Sequence, residues 1–249
     1  MLIDIAGNEN GDGMPAPYAK TLPRYETGLL DWFIPFGIFT LEHLQYIKGY
    51  PDGAVRPDDN ITRAEAATAI FRLLAETEGA ESLSMRFADT MPSAWYSKPV
   101  AYLDQIGIIQ GYEDGTFKPD APISRAECAA LVSRFDAIEY VSPKLFSDVG
   151  ANHWALSYIS GAVAKGYFTG YPDGTFRPND QMTRAEFVTT LNNILYRGIE
   201  AGDIPAWAPS YTDLSAGHWA YAGIIEASIG HDYERKDNGY EIWLRPFAE

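Results

Sequence analysis

The 249-residue chain carries 19 lysines and arginines against 34 aspartates and glutamates, a formal charge of −15. Nucleic acid demands a basic face and anionic lipid a basic patch, so this balance argues against both as partners. With 46% hydrophobic residues the chain can bury a substantial core, yet no stretch approaches the roughly 18 uninterrupted apolar residues of a membrane-spanning helix.

Residues 1–35 differ from the rest and read as a linker or extension. They hold the turn-forming run Gly7 to Gly13 followed by Pro15, Pro17 and Pro23. Met1-Leu2-Ile3-Asp4 lacks the basic start of a secretory signal. The spacing of Asn8, Asn10, Asp12 and Gly13 resembles the opening of a calcium loop, but Ala19 stands where a bidentate glutamate is required, which argues against calcium there. The apolar run from Trp32 to Phe39 is too rich to stand free in water and is expected to dock on the rest of the chain.

From Gly49 onward the chain repeats. Turn phrases of the form Gly-Tyr-x-Asp-Gly start at Gly49, Gly111 and Gly170, and each is followed at a constant interval by a second phrase. That phrase is Ile61-Thr62-Arg63-Ala64-Glu65, then Ile123-Ser124-Arg125-Ala126-Glu127, then Met182-Thr183-Arg184-Ala185-Glu186. Between these blocks Phe87-x-Asp89, Phe146-x-Asp148 and Tyr211-x-Asp213 each precede a tryptophan, Trp95, Trp154 and Trp219, with helical apolar spacing after it. Each unit therefore has a front half, aromatic-x-Asp to helix, and a back half, turn to arginine helix. The order is back, front, back, front, back, front. The first back half (49–80) lacks an adjacent front half, and the last front half (211–230) lacks a following back half. Pairing those two across the chain ends closes a ring of three, with the other repeats at 87–140 and 146–200 inside a domain spanning 36–249.

Thr62 with Glu65, Ser124 with Glu127 and Thr183 with Glu186 match the capping box, so hydroxyl and carboxylate have structural explanations. The arginine does not, because a cation near a helix N-terminus opposes the macrodipole. Beside free N-terminal amides, Arg63, Arg125 and Arg184 would make an anion site suited to a planar carboxylate; the alternative is a structural ion pair, with Asp89, Asp148 or Asp213 as partner. Trp95, Trp154 and Trp219 are either core residues or platforms for a sugar ring. Gly53, Gly115 and Gly174 supply a permissive backbone for the turns, and Arg56, Lys118 and Arg177 have at most a peripheral share in binding. Cys128 reads as a small core residue. His153 and His218 share a position that Ala94 fills in the remaining copy, and His43 and His231 have no partners at zinc-like spacing, so neither metal nor cofactor is expected. No singular nucleophile, phosphate loop or carboxylate pair stands outside the repeats, so no catalytic residue is assigned.

The order aromatic-x-Asp, His-Trp-Ala, Gly-Tyr-Pro-Asp-Gly-Thr-Phe-Arg-Pro and Thr-Arg-Ala-Glu, nearly intact from Phe146 to Glu186, resembles the bacterial S-layer homology (SLH) domain family. The resemblance covers roughly Gly49 to Ile229. It implies a mainly α fold, a pseudo-threefold helical bundle of three repeats, and a non-catalytic module at the bacterial cell wall or S-layer. It also implies that inter-repeat grooves hold an anionic secondary cell-wall polysaccharide, commonly pyruvylated, with Arg63, Arg125 and Arg184 on the carboxylate. Trp95, Trp154 and Trp219, with Asp89, Asp148 and Asp213, complete the expected ligand-binding set. Binding of modified peptidoglycan and self-assembly with neighbouring S-layer proteins are the alternatives. Departures from the family pattern are Glu113 in the second turn, Ala54-Val55 in the first, Ser124 in the second Arg phrase and Ala94 before Trp95.

Overall fold

The computed structural model describes residues 42–74, 83–138, 142 and 146–246. The linker, the calcium-like spacing and the run Trp32 to Phe39 lie outside the described residues. Strand β1 (Glu42–His43) is followed by helices α1 (Arg63–Arg72), α2 (Ser97–Gln105), α3 (Arg125–Phe135), α4 (Leu156–Ala164), α5 (Arg184–Ile194) and α6 (Tyr221–Ala227). Two strands end the described chain, β2 (His231–Arg235) and β3 (Glu241–Pro246). The fold is mainly helical.

The capping boxes set the starts of α1, α3 and α5. Thr62, Ser124 and Thr183 accept from the amides of Glu65, Glu127 and Glu186, and each glutamate accepts back from its N-cap amide. The apolar faces of these helices pack in pairs with the tryptophan-led helices: α1 on α2, α3 on α4, α5 on α6. Cys128 is buried on α3, as expected of a core residue.

The residue before each cap builds the axis of the molecule. Ile61 N–H donates to Met182 O, Met182 N–H to Ile123 O and Ile123 N–H to Ile61 O, each at 3.0 Å, so three extended segments close a cyclic set of backbone hydrogen bonds. All three side chains are buried. Burying an apolar side chain of this size contributes roughly 1.5–3 kcal/mol, and here one cluster serves all three repeats.

The ring closes through the chain ends. In the two internal copies Asp89 accepts from the amides of Phe117 and Lys118, and Asp148 from those of Phe176 and Arg177. Asp213 makes the same clasp on Val55 and Arg56, more than 150 residues back along the chain. The adjoining bonds repeat too: Ala88 N–H to Gly115 O, Ser147 N–H to Gly174 O, and Thr212 N–H to Gly53 O. Where Ile108 and Ile109 donate to Leu103 O within one connection, Tyr46 and Ile47 donate to Ala227 O across the closure.

A three-stranded antiparallel sheet, ordered β1-β2-β3, adds to the helical reading. The β2–β3 hairpin turns through Asp237-Asn238-Gly239, with Gly239 at φ 90°, a three-residue loop that needs a left-handed last position. His43 pairs with His231 in the β1–β2 register, so the strand preceding the first repeat is tied to the segment following the last front half.

Candidate functional site

The motif arginines lie between repeats. Arg63 donates from Nε to Phe117 O at 2.8 Å, from Nη1 to Glu127 Oε1 at 3.1 Å and from Nη2 to Gln110 O at 3.3 Å. Arg184 repeats this on the first copy, reaching Val55 O, Glu65 Oε1 and Lys48 O. Arg125 donates to Phe176 O and Thr169 O. Each arginine thus grips the following repeat, and the third grips the first. Their exposures are 8% for Arg63, 1% for Arg125 and 4% for Arg184, so they sit in the floor of the junctions rather than on the surface.

Two expectations change. The helix N-terminal amides are not free: the amides of Arg63, Arg125 and Arg184 donate to Ala121 O, Asp180 O and Asp59 O, and those of Ala64, Ala126 and Ala185 to Pro119 O, Pro178 O and Pro57 O. A neighbouring connector has taken the donors that an anion would need. The ion-pair partner is also different. Asp89, Asp148 and Asp213 spend both oxygens on turn amides, whereas Glu127 and Glu65 receive the guanidinium. One glutamate therefore caps its own helix and holds the preceding repeat's arginine.

The same glutamates accept the turn tyrosines, Tyr112 to Glu127 at 2.5 Å and Tyr50 to Glu65 at 2.6 Å. Burial and this hydrogen bond push both phenols up to about 12. Burial pushes the Glu186 carboxyl up, against the opposing pull of the Thr183 amide and Arg125.

The aspartate clasp explains an unusual backbone. Arg56, Lys118 and Arg177 have φ of 52°, 55° and 57°, the left-handed region that side chains rarely adopt. Two amide-to-carboxylate bonds hold that conformation in each copy. Their cationic heads then lie over the Tyr50, Tyr112 and Tyr171 rings at 4.0, 4.0 and 3.8 Å.

A small cleft of about 30 Å³, partly open to solvent, lies over the Arg63 junction. Arg63, Gln110, Glu127 and Arg134 give its polar lining, with Ile109 and Leu131 among its apolar walls. Arg134, which sequence reasoning did not single out, donates to the neutral oxygens of Gln110 and Tyr158. A signal was available: Arg134 follows Arg125 by the same nine residues that separate Arg72 from Arg63, while Asn193 fills that position after Arg184.

Trp95 and Trp154 are 61% and 57% exposed, and Trp219 is half-buried against the core. Among the described residues, no tryptophan lines the Arg63 cleft. His153 and His218 each stack on the following tryptophan and accept an amide from Ala155 and Ala220, positioning the starts of α4 and α6.

Comparison with known proteins agrees with the repeat reading. The S-layer homology domain model matches residues 40–67, 86–129 and 145–188. The chain is 39% identical over 220 residues, 85% of its length, to the cellulosome-anchoring protein of Acetivibrio thermocellus, covering 48% of that protein. It is 36% identical to cell surface glycoprotein 1 of the same organism over 79% of this chain and 9% of the relative. The surface-layer 125 kDa protein of Lysinibacillus sphaericus is 30% identical over 74% of this chain and 16% of the relative. The chain thus spans about half the length of the first relative and under a fifth of the other two.

Proposed function

The chain belongs to the S-layer homology domain family, a non-catalytic module of the cell wall and S-layer, and from that premise we propose that it anchors a larger surface protein by binding an anionic wall polysaccharide between its repeats. The observation that carries this reading is the cleft over Arg63, where Arg134 donates to the neutral oxygens of Gln110 and Tyr158 among the described residues. A pyruvyl carboxylate on the glycan is the group such a cation suits, since charge-assisted hydrogen bonds to guanidinium are directional and strong. Arg63 supplies positive potential from beneath, Asp89 holds the turn that carries the wall residue Phe117, Asp148 and Asp213 hold the equivalent turns at the other junctions, and the exposed Trp95 and Trp154 offer stacking faces to sugar rings beyond the cleft.

Net charge sharpens the requirement. A chain at −15 repels a polyanion at long range, so its affinity depends on cations held locally at the junctions. Isothermal titration with purified wall polysaccharide tests the site. Arg134→Gln should weaken binding about tenfold, the loss of roughly 1.4 kcal/mol from one charge-assisted contact, with an unchanged melting temperature. Equal affinity of the variant would remove Arg134 from the site.

A further inference from the structure

We propose that His43, Glu226, His231 and Glu241 form a binding site for one divalent transition-metal ion of the zinc class, which staples the two ends of the ring. These four side chains are buried, and each can offer one ligand atom such that all lie within 4.8 Å of one another. They come from β1, α6, β2 and β3, so no local spacing announces them.

Several polar atoms at the centre have no hydrogen-bond partner among the described residues. His231 Nδ1 lies 3.0 Å from Ile229 O, and because a carbonyl cannot donate, Nδ1 carries the proton. Nε2 then faces inward, 3.4 Å from Glu226 Oε1 and 3.9 Å from Glu241 Oε2, with no hydrogen-bond partner. Glu226 Oε2 and both oxygens of Glu241 are likewise buried without a hydrogen bond. His43 Nδ1 closes the set at 3.0 Å from Glu226 Oε1 and 3.3 Å from Glu241 Oε2. Arg197 and Arg235 each pair one carboxylate from outside, yet the lone pairs that converge at the centre still repel unless a cation or a proton sits between them.

The geometry and the donor types suit zinc. Bonds of about 2.0–2.1 Å in a tetrahedron place donors roughly 3.3 Å apart, close to the 3.0, 3.3 and 3.4 Å separations here, while His231 to Glu241 at 3.9 Å and the 4.8 Å outer bound of the set leave the donors to draw in around an ion. Two imidazoles with two carboxylates exclude a calcium-like all-oxygen set. The outer contacts resemble those that orient metal ligands: Ile229 O fixes the His231 tautomer, Arg197 Nε holds Glu226 Oε1 at 2.9 Å, and Arg235 Nη2 lies 3.1 Å from Glu241 Oε1. Trp243 stacks on His231 and Tyr233 lies against His43, which fixes both rings. The rival occupant is a second proton on His231.

The full chain, stripped by chelator and dialysed against Zn²⁺, should bind about one equivalent and melt several degrees higher, saturably. Co²⁺ should give the intense visible bands of a tetrahedral site. His231→Gln and His43→Gln should each lower the affinity at least about tenfold. Uptake below about 0.2 equivalents by the native chain, weak octahedral Co²⁺ bands, or undiminished binding by both variants would overturn the proposal. The Co²⁺ spectrum needs no variant, so it decides even if a substitution fails to fold. Wall binding enters none of these readouts.

Discussion

At the scale of single residues, the motif arginine joins one repeat to the next. Removing Arg63 leaves Glu127 and two carbonyls at a junction where the guanidinium is only 8% exposed. Breaking a buried ion pair from one side costs about 3–5 kcal/mol, so Arg63→Ala should lower the urea midpoint by that equivalent, and Arg134→Ala should leave it nearly unchanged. Equal stability of the two variants would contradict the interlocking role. Tyr50 and Tyr112 add a pH dependence. Unfolded phenols ionise near 10.0, whereas these hold their protons to about 12. Their contribution is therefore complete below pH 10 and is lost as pH rises toward 12. Urea unfolding across that window should show the fall, and a Tyr50→Phe, Tyr112→Phe double variant should show less of it.

At the scale of elements, the front-half aromatic and the turn glycine are built as one contact. A Cβ on Gly49 would come within 2.5 Å of Tyr211 Cε1, and Gly170 meets Phe146 in the same way. Gly170→Ala should cost about 1–3 kcal/mol by overpacking, and Gly49→Ala should do so while loosening the chain ends. The junctions themselves are unequal. Beside Arg63 the equivalent positions carry Gln110 and Arg134, beside Arg184 they carry Lys48 and Arg72, and beside Arg125 they carry Thr169 and Asn193. Titration with an anionic wall glycan should accordingly fit two stronger sites and one weaker; three identical sites would contradict the electrostatic reading. Much of this was legible in the sequence. The constant interval from Gly49 to Arg63 and its two repeats marks the connector, and Thr62 with Glu65 marks the helix start. The arginine's partner was hidden because Glu127 already had a local explanation as a cap. Asn238-Gly239 between alternating residues was a readable hairpin signal. The His43–Glu226–His231–Glu241 cluster was not, since its members are brought together only by ring closure.

At the scale of the whole molecule, closure depends on residues far apart in the chain. Asp213 holds the Val55–Arg56 turn, Tyr46 and Ile47 bond to Ala227, and β1 pairs with β2. A chain ending at Gly198 should therefore lose its cooperative melt and expose the Ile61 amide to exchange, although Ile61 lies far from the cut in sequence. Retention of protection at Ile61 would show that the first repeat stands without the last front half. The most direct test of the anchoring account is co-sedimentation of the intact chain with bacterial cell walls before and after extraction of their secondary polysaccharide. The account predicts retention on native walls, weakened by Arg134→Gln, and loss of retention on extracted walls; equal retention on bare peptidoglycan would contradict it.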